Sequence, residues 1–220
     1  MFIVATVLAS AGSVPADVVL PEGVDEYRII FVTSGSFYAT NTDIDWYNTQ
    51  VAVAAASNPI LDGLGADWYC VGSTDAVDAR DNISPGIPWD LESVPIYNTG
   101  GSPGNFKVGD SLADIFDGII LAPVAWDETG ELGLGGDAVY TGSTWWGTAY
   151  PDAALGDPSP PIITGTWATN DRWITNVWST GAARLYGISS PIPEPTTVCL
   201  LGFGSLALLR RSRRRPHSYS

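Results

Sequence analysis

The sequence predicts an α+β domain, with helices early and short strands and long loops late, followed by a separate C-terminal hydrophobic helix. Three observations carry this expectation. The run Tyr27 to Thr33 is aromatic and β-branched and opens the body as a strand. A helical apolar period follows it closely, at Ile44, Tyr47, Val51 and Ala54 or Ala55. Beyond Pro123 the chain turns rich in Gly, Pro and Trp, which leaves room only for short strands between loops.

Taken in order, the elements justify themselves locally. Asn41-Thr42 precedes the first helix, Asp43 and Asp45 fall in its first turn where negative charge meets the positive end of the helix dipole, and Asn58-Pro59 stops it. Asp67 to Val71 reads as a second strand. It leads into a segment from Ser73 to Ile83 whose threonine and apolar spacing predict a short helix, with Arg80 placed to pair with flanking aspartates. Leu112 to Asp117 predicts another short helix, ended by Gly118 and followed by the apolar run Ile119 to Ala122. Short β-like pieces then occur around Val139-Tyr140, at Ile162-Ile163, from Trp173 to Trp178 and from Ala183 to Ile188.

The two ends differ in composition from the body. Phe2 to Leu8 is a short apolar stretch, and Ala9-Ser10-Ala11 or Val14-Pro15-Ala16 offers the small residues a signal peptidase requires, although no Lys or Arg precedes it. The expected organisation is therefore a signal peptide over 1–16 that lacks the basic residues of a full-length start, one extracellular domain over 17–190 and a tail over 191–220. In that tail Pro193-Glu194-Pro195 is followed by an apolar run from Val198 to Leu209 and then by Arg210, Arg211, Arg213, Arg214 and Arg215. Twelve helical residues rise about 18 Å, short of the ~30 Å hydrocarbon core. A strained crossing becomes feasible when the arginines snorkel to the headgroups on the cytoplasmic side.

Pro-Glu-Pro, a short apolar helix and a terminal arginine cluster, in that order, resemble the PEP-CTERM sorting signal of Gram-negative bacteria. The resemblance implies an exosortase as processing partner, a transient inner-membrane intermediate, and release or anchoring of the body at the cell surface or outside the cell. Pro193, Glu194 and Pro195 would then contact the processing enzyme and play no part in any activity of the mature protein.

Charge and cysteine content narrow what the body can do. All 24 acidic residues lie between Asp17 and Glu194, where only Arg28, Arg80, Lys107, Arg172 and Arg184 are basic, a net charge of −19. Such a body repels phosphates, so nucleic acid is excluded as a partner. Cys70 is the only thiol outside the tail and is expected to be a buried packing residue, which leaves no intramolecular disulfide. The only histidine, His217, lies beyond the arginine cluster, so histidine-dependent triads and histidine-ligated zinc are excluded from a processed body.

Several short motifs in the body point to a fold family. Phe31-Val32-Thr33-Ser34, the alanine-rich helix after Asp45, Ala79-Arg80-Asp81 and Leu112 to Gly118 form the first half of the series. Ala122-Pro123 with Asp127-Glu128-Thr129-Gly130, Val139 to Gly142 and Ala183-Arg184-Leu185-Tyr186 complete it. Together they resemble a family of secreted bacterial lectin-like domains of unassigned function, similar to the C-type-lectin-like fold and its endostatin branch. That family commonly carries a cysteine just after the Arg-Leu-Tyr strand, where this chain has Gly187.

The resemblance implies a search for calcium and sugar ligands. Asn170-Asp171, separated from Trp167 by two intervening residues, faintly matches the Trp-Asn-Asp calcium motif of sugar-binding relatives, and Asp127-Glu128 is a second candidate metal pair. The familiar sugar-binding tripeptide is absent. Among nine tryptophans, most are expected in the core, while Trp145 and Trp146, adjacent and flanked by small residues, cannot both point inward if extended. Trp145, Trp146 and Trp167 are thus the candidate ligand-binding aromatics. Two function classes remain open. One is a non-catalytic binding or structural protein associated with extracellular polysaccharide, with calcium as an optional aid. The other is a glycoside-active enzyme working through carboxylates alone, which needs a pair about 5–9.5 Å apart.

Overall fold

Strand β1 (Glu26–Val32) is covered on both faces, with Glu26 alone exposed. Because side chains alternate along a strand, Tyr27, Ile29 and Phe31 enter one core while Ile30 and Val32 enter a second on the opposite side. A computed structural model describes residues 24–100, 106–133, 138–158 and 161–193. The expected signal peptide and, in the tail, Glu194, Pro195, the apolar run and the five arginines lie outside the described residues. Among the described residues, no helix is long and apolar enough to cross a membrane.

The first core is closed by helix α1 (Ile44–Ala56), which buries Ile44, Tyr47, Val51 and Ala55, the face its sequence period predicts. Asp43 stands one step before the first turn, as the N-cap, and its carboxylate accepts from the Asp45 amide at 3.1 Å. Asn58-Pro59 ends α1 and also starts α2 (Pro59–Gly63), with Asn58 Oδ1 accepting from the Ile60 amide at 2.8 Å and proline in the first turn. One dipeptide thus serves as stop and start.

The remaining helical pieces cover the second core. The segment expected to be helical from Ser73 to Ile83 is helical only at α3 (Ala79–Asn82). Thr74 does not cap it: Thr74 and Val77 exchange backbone hydrogen bonds of 3.0 and 3.3 Å in a turn that comes first. Asp78 takes the N-cap position without capping, its Oδ1 accepting instead from the Ala149 amide at 2.7 Å and its Oδ2 meeting Arg80 Nη2 at 3.3 Å. The pairing expected of Arg80 is present, and its guanidinium also lies 5.4 Å from the Trp89 ring centre. A 3₁₀ turn at Trp89–Leu91 and helix α4 (Leu112–Ile115), capped by the Ser111 hydroxyl, complete this side.

The remaining strands are β2 (Trp68–Cys70), β3 (Ile96–Asn98), β4 (Lys107–Gly109), β5 (Ala138–Tyr140), β6 (Ile162–Thr166), β7 (Val177–Ser179), β8 (Arg184–Ser189) and β9 (Ile192–Pro193). They form one mixed sheet in the order β4-β3-β1-β8-β5-β6-β7, with β2 also on β8 and β9 on β1. Strands are therefore spread along the chain and do not gather in its second half. The expectation of early helices and late strands is corrected to a sheet-dominated α+β fold with few helices. The physical reason is pairing: β3 and β4 are three-residue pieces without alternation, and they become strands because β1 offers β3 a parallel edge, Arg28 opposite Ile96 through Ile30 opposite Asn98. From Trp173 to Trp178 only the end is strand, because residues before Val177 are bends around the fully buried Trp173.

Strand β8 is the hub. It pairs antiparallel with β1 along one edge, while its other edge is shared between β2 and β5. Gly187 lies at this crossing, opposite Phe31 and Cys70. A Cβ there would stand 2.4 Å from Val51 Cγ1 and 2.7 Å from the Phe31 ring, so the absence of a side chain lets α1 sit down on the sheet. Cys70 is fully buried, as expected, and burial pushes its thiol well above the usual range.

One charged pair is enclosed in the second core. Arg28 follows Ile30 and Val32 to that side and is 2 % exposed. Its Nη2 meets Glu92 Oε2 at 2.7 Å, its Nε contacts the other carboxylate oxygen, and Nη1 donates to the Ile83 carbonyl at 3.2 Å and to the Ser189 carbonyl. Four segments of chain meet at one guanidinium.

Candidate functional site

Trp145 and Trp146 occupy the middle of a tight turn. The Thr144 amide donates to Thr148 O at 2.8 Å, the Gly147 amide returns to Thr144 O at 3.0 Å, and the two threonine hydroxyls lie 2.7 Å apart. At central turn positions both side chains project outward, so both indoles are exposed, 58 % and 54 %, where an extended segment would have hidden one of them. Their rings sit edge to face with centroids 5.6 Å apart. Gly147 permits the turn through a φ of 72°, with the Phe116 ring directly beneath it, and the Trp145 ring lies over Gly118. Ile119, next in the chain, is 64 % exposed. Together the two indoles and Ile119 form an exposed apolar surface.

The other candidate aromatic differs. Trp167 is half-buried and packs against the second core. Trp68 and Trp173 are buried, Trp46, Trp89 and Trp126 are half-buried, and Trp178 is exposed against the Tyr150 ring, so most of the tryptophans serve the interior.

The candidate metal ligands fall into two separate settings. Asp127 and Glu128 are both buried beside the end of β1. Asp127 Oδ1 accepts from the Thr129 amide at 2.9 Å, the Thr129 hydroxyl at 2.6 Å and the Glu131 amide at 3.2 Å, which folds its own loop into a turn. Glu128 Oε2 accepts from the Ser34 amide at 2.8 Å while its other oxygen takes the Ser34 hydroxyl. These carboxylates hold loops together. Asn170 does the same elsewhere: its Nδ2 donates to Leu121 O at 3.1 Å and its carbonyl accepts from the Ile120 amide at 3.0 Å, with exposed Asp171 beside it. Among the described residues, no group of three or more His, Cys, Asp or Glu is placed to hold a metal ion.

A cleft that no sequence pattern marks lies on the α1 side of the sheet, with Tyr38, Tyr140 and Asp157 among its walls and a volume of about 520 Å3. Its residues come from four stretches far apart in the chain. The nearest sequence signal is the density of Ser and Thr around 40–42 and 179–180, which a linear reading assigns to loops.

At the far end of the fold, Ile192 is buried in the first core and Pro193 is exposed, paired with Glu26 at the start of β1. The sheet thus continues up to the first residue of Pro-Glu-Pro. Among curated proteins, none matches this chain. Residues 191–215 match the PEP-CTERM protein-sorting motif, the signal of an exported surface protein that passes through the membrane with an exosortase as its processing partner.

Proposed function

We propose that the protein is an exosortase-processed surface or matrix protein whose folded body is a non-catalytic binding module for extracellular polysaccharide. The observation that carries the binding half is the exposed Trp145-Trp146 pair on a hydrogen-bonded turn, since large apolar rings turned to water in a body of such negative charge suit the C–H faces of sugars. Supporting a binding over a catalytic role, the buried carboxylates Glu92, Asp127 and Glu128 each accept hydrogen bonds from within the fold. A C-type-lectin-like identity for the body fits the central antiparallel pairing of the first long strand with the late β8. It also fits α1 packed across that pair.

Binding of the exported protein to host exopolysaccharide and to a glycan panel, with and without calcium, tests the reading. The expected result is saturable binding that weakens by about 3-fold to 10-fold on Trp145→Ala or Trp146→Ala, the equivalent of roughly 0.5–1.5 kcal/mol for an aromatic contact. Absence of binding to every glycan would overturn the polysaccharide role while leaving export untouched.

A further inference from the structure

The cleft on the α1 side has the composition of a sugar site of its own. Its volume of about 520 Å3 falls within the ~300–1,000 Å3 typical of small-ligand clefts. Ala39, Tyr140 and Ile162 make a buried floor from the pre-helix segment, β5 and β6. The rim is set with hydroxyls, from Thr40 and Thr42 ahead of α1 and from Ser179 and Thr180 at the end of β7. Tyr38 adds an aromatic ring that is 63 % exposed, and Asp157 adds a half-buried carboxylate.

The walls are held in place before any ligand arrives. The Gly156 amide donates to Ala39 O at 3.1 Å, joining the two sides, and the Tyr140 hydroxyl donates to the Gly181 carbonyl, anchoring the floor. Such preorganisation lowers the ordering cost of binding. Charge then selects the ligand. No Lys or Arg is among the described residues lining the cleft, and its carboxylate sits in a body of net charge −19, so an anionic group is repelled and a cationic partner for one is missing. A neutral sugar meets the opposite conditions: its hydroxyls both donate and accept, matching the Thr and Ser rim, its donors suit the carboxylate, and its apolar face suits Tyr38.

We infer that this cleft, with Tyr38 as stacking platform and Asp157 as hydroxyl acceptor, binds a neutral sugar unit directly, without a bridging cation. The inference rests on the reading of the body as a polysaccharide-binding module, and adds a second site to it. The two sites belong to opposite sides of the sheet, since Tyr140 and Ile162 pack in the α1-side core while Phe116, beneath the tryptophan turn, packs in the other.

The test measures binding of the full chain, kept in mild detergent, to neutral dextran, galactan and mannan oligosaccharides and to anionic alginate oligosaccharides, with and without EDTA. At least one neutral oligosaccharide is expected to bind equally with EDTA. Tyr38→Ala should weaken it about 3-fold to 10-fold and Asp157→Asn about 10-fold, with alginate not competing. Thr180→Val is a second rim variant, and an unchanged thermal midpoint shows that each variant is folded. If neutral sugars bind but the Tyr38, Asp157 and Thr180 variants bind as well as the parent, the cleft assignment is wrong and the polysaccharide reading stands on the tryptophan pair alone. Loss of binding with EDTA, or preference for alginate, overturns the direct neutral site. Failure of all these glycans and of the host exopolysaccharide overturns both readings.

Discussion

Arg28 and Glu92 are 64 residues apart in sequence, yet the fold encloses them as a two-point ion pair with side chains 2 % and 6 % exposed. Removing one member leaves the other as an uncompensated buried charge. Glu92→Ala is therefore expected to destabilise the protein by about 3–5 kcal/mol in a chemical denaturation curve. Lys107→Ala, which breaks the exposed contact with Asp110, should leave that curve nearly unchanged. Burial also sets the response to alkali. It pushes Tyr47 up to about 12, against a smaller lowering by the hydrogen bond its oxygen accepts from the Asn41 amide, and it raises Tyr186 and Cys70. For each, the unfolded chain loses its proton at a lower pH than the folded one. Their contribution is fully present below about pH 8.5 and declines as pH rises toward and past 12. Thermal midpoints measured from pH 7 to 12 should stay level at first and then fall; a midpoint that rises above pH 10 would contradict this. Of these residues, Cys70 and Tyr47 were legible in the sequence as interior, the one as a lone thiol and the other from the period of its helix, while Arg28 counted only as one of five bases. Glu92 resembled any other acid of an acidic chain, because a buried charge is recognisable only through its partner.

Individual elements show the same division between local and distant causes. Strand β1, helix α1, β2, β5, β6 and β8 are legible because their apolar periods and caps lie within a few residues. The three-residue strands β3 and β4 depend on β1 as a pairing edge, and the shortened α3 yields to a turn at Thr74 to Val77. The outward pair Trp145-Trp146 was half legible: adjacency and small neighbours marked it, while the turn that exposes both rings needs Gly147 above Phe116. The cleft at Tyr38 and Asp157 was not legible, since it is assembled by the meeting of the segment before α1 with β5, β6 and the end of β7. Gly187 marks where α1 meets β8. Gly187→Ala would place a methyl 2.4 Å from Val51 and should cost about 1–3 kcal/mol, read as a lower thermal midpoint, with partial recovery when combined with Val51→Ala. An unchanged midpoint would mean that α1 does not rest on the sheet as described.

As a whole, the described part of the molecule is a mixed sheet whose central strands are covered on both faces and which runs, through β9, straight into its own sorting signal. Ile192 belongs to the core and Pro193 to the matched motif, so the folded body and the export tail meet without an intervening linker. Removal of the segment beyond Pro-Glu-Pro would strip five arginines and leave a strongly acidic domain whose candidate ligand surfaces are aromatic and hydroxylic. Intact-mass spectrometry of the protein recovered from the cell surface or medium of an exosortase-bearing host measures that removal directly. A mass lacking Arg210 to Arg215 is the predicted result, and a surface product that still carries those arginines would contradict it.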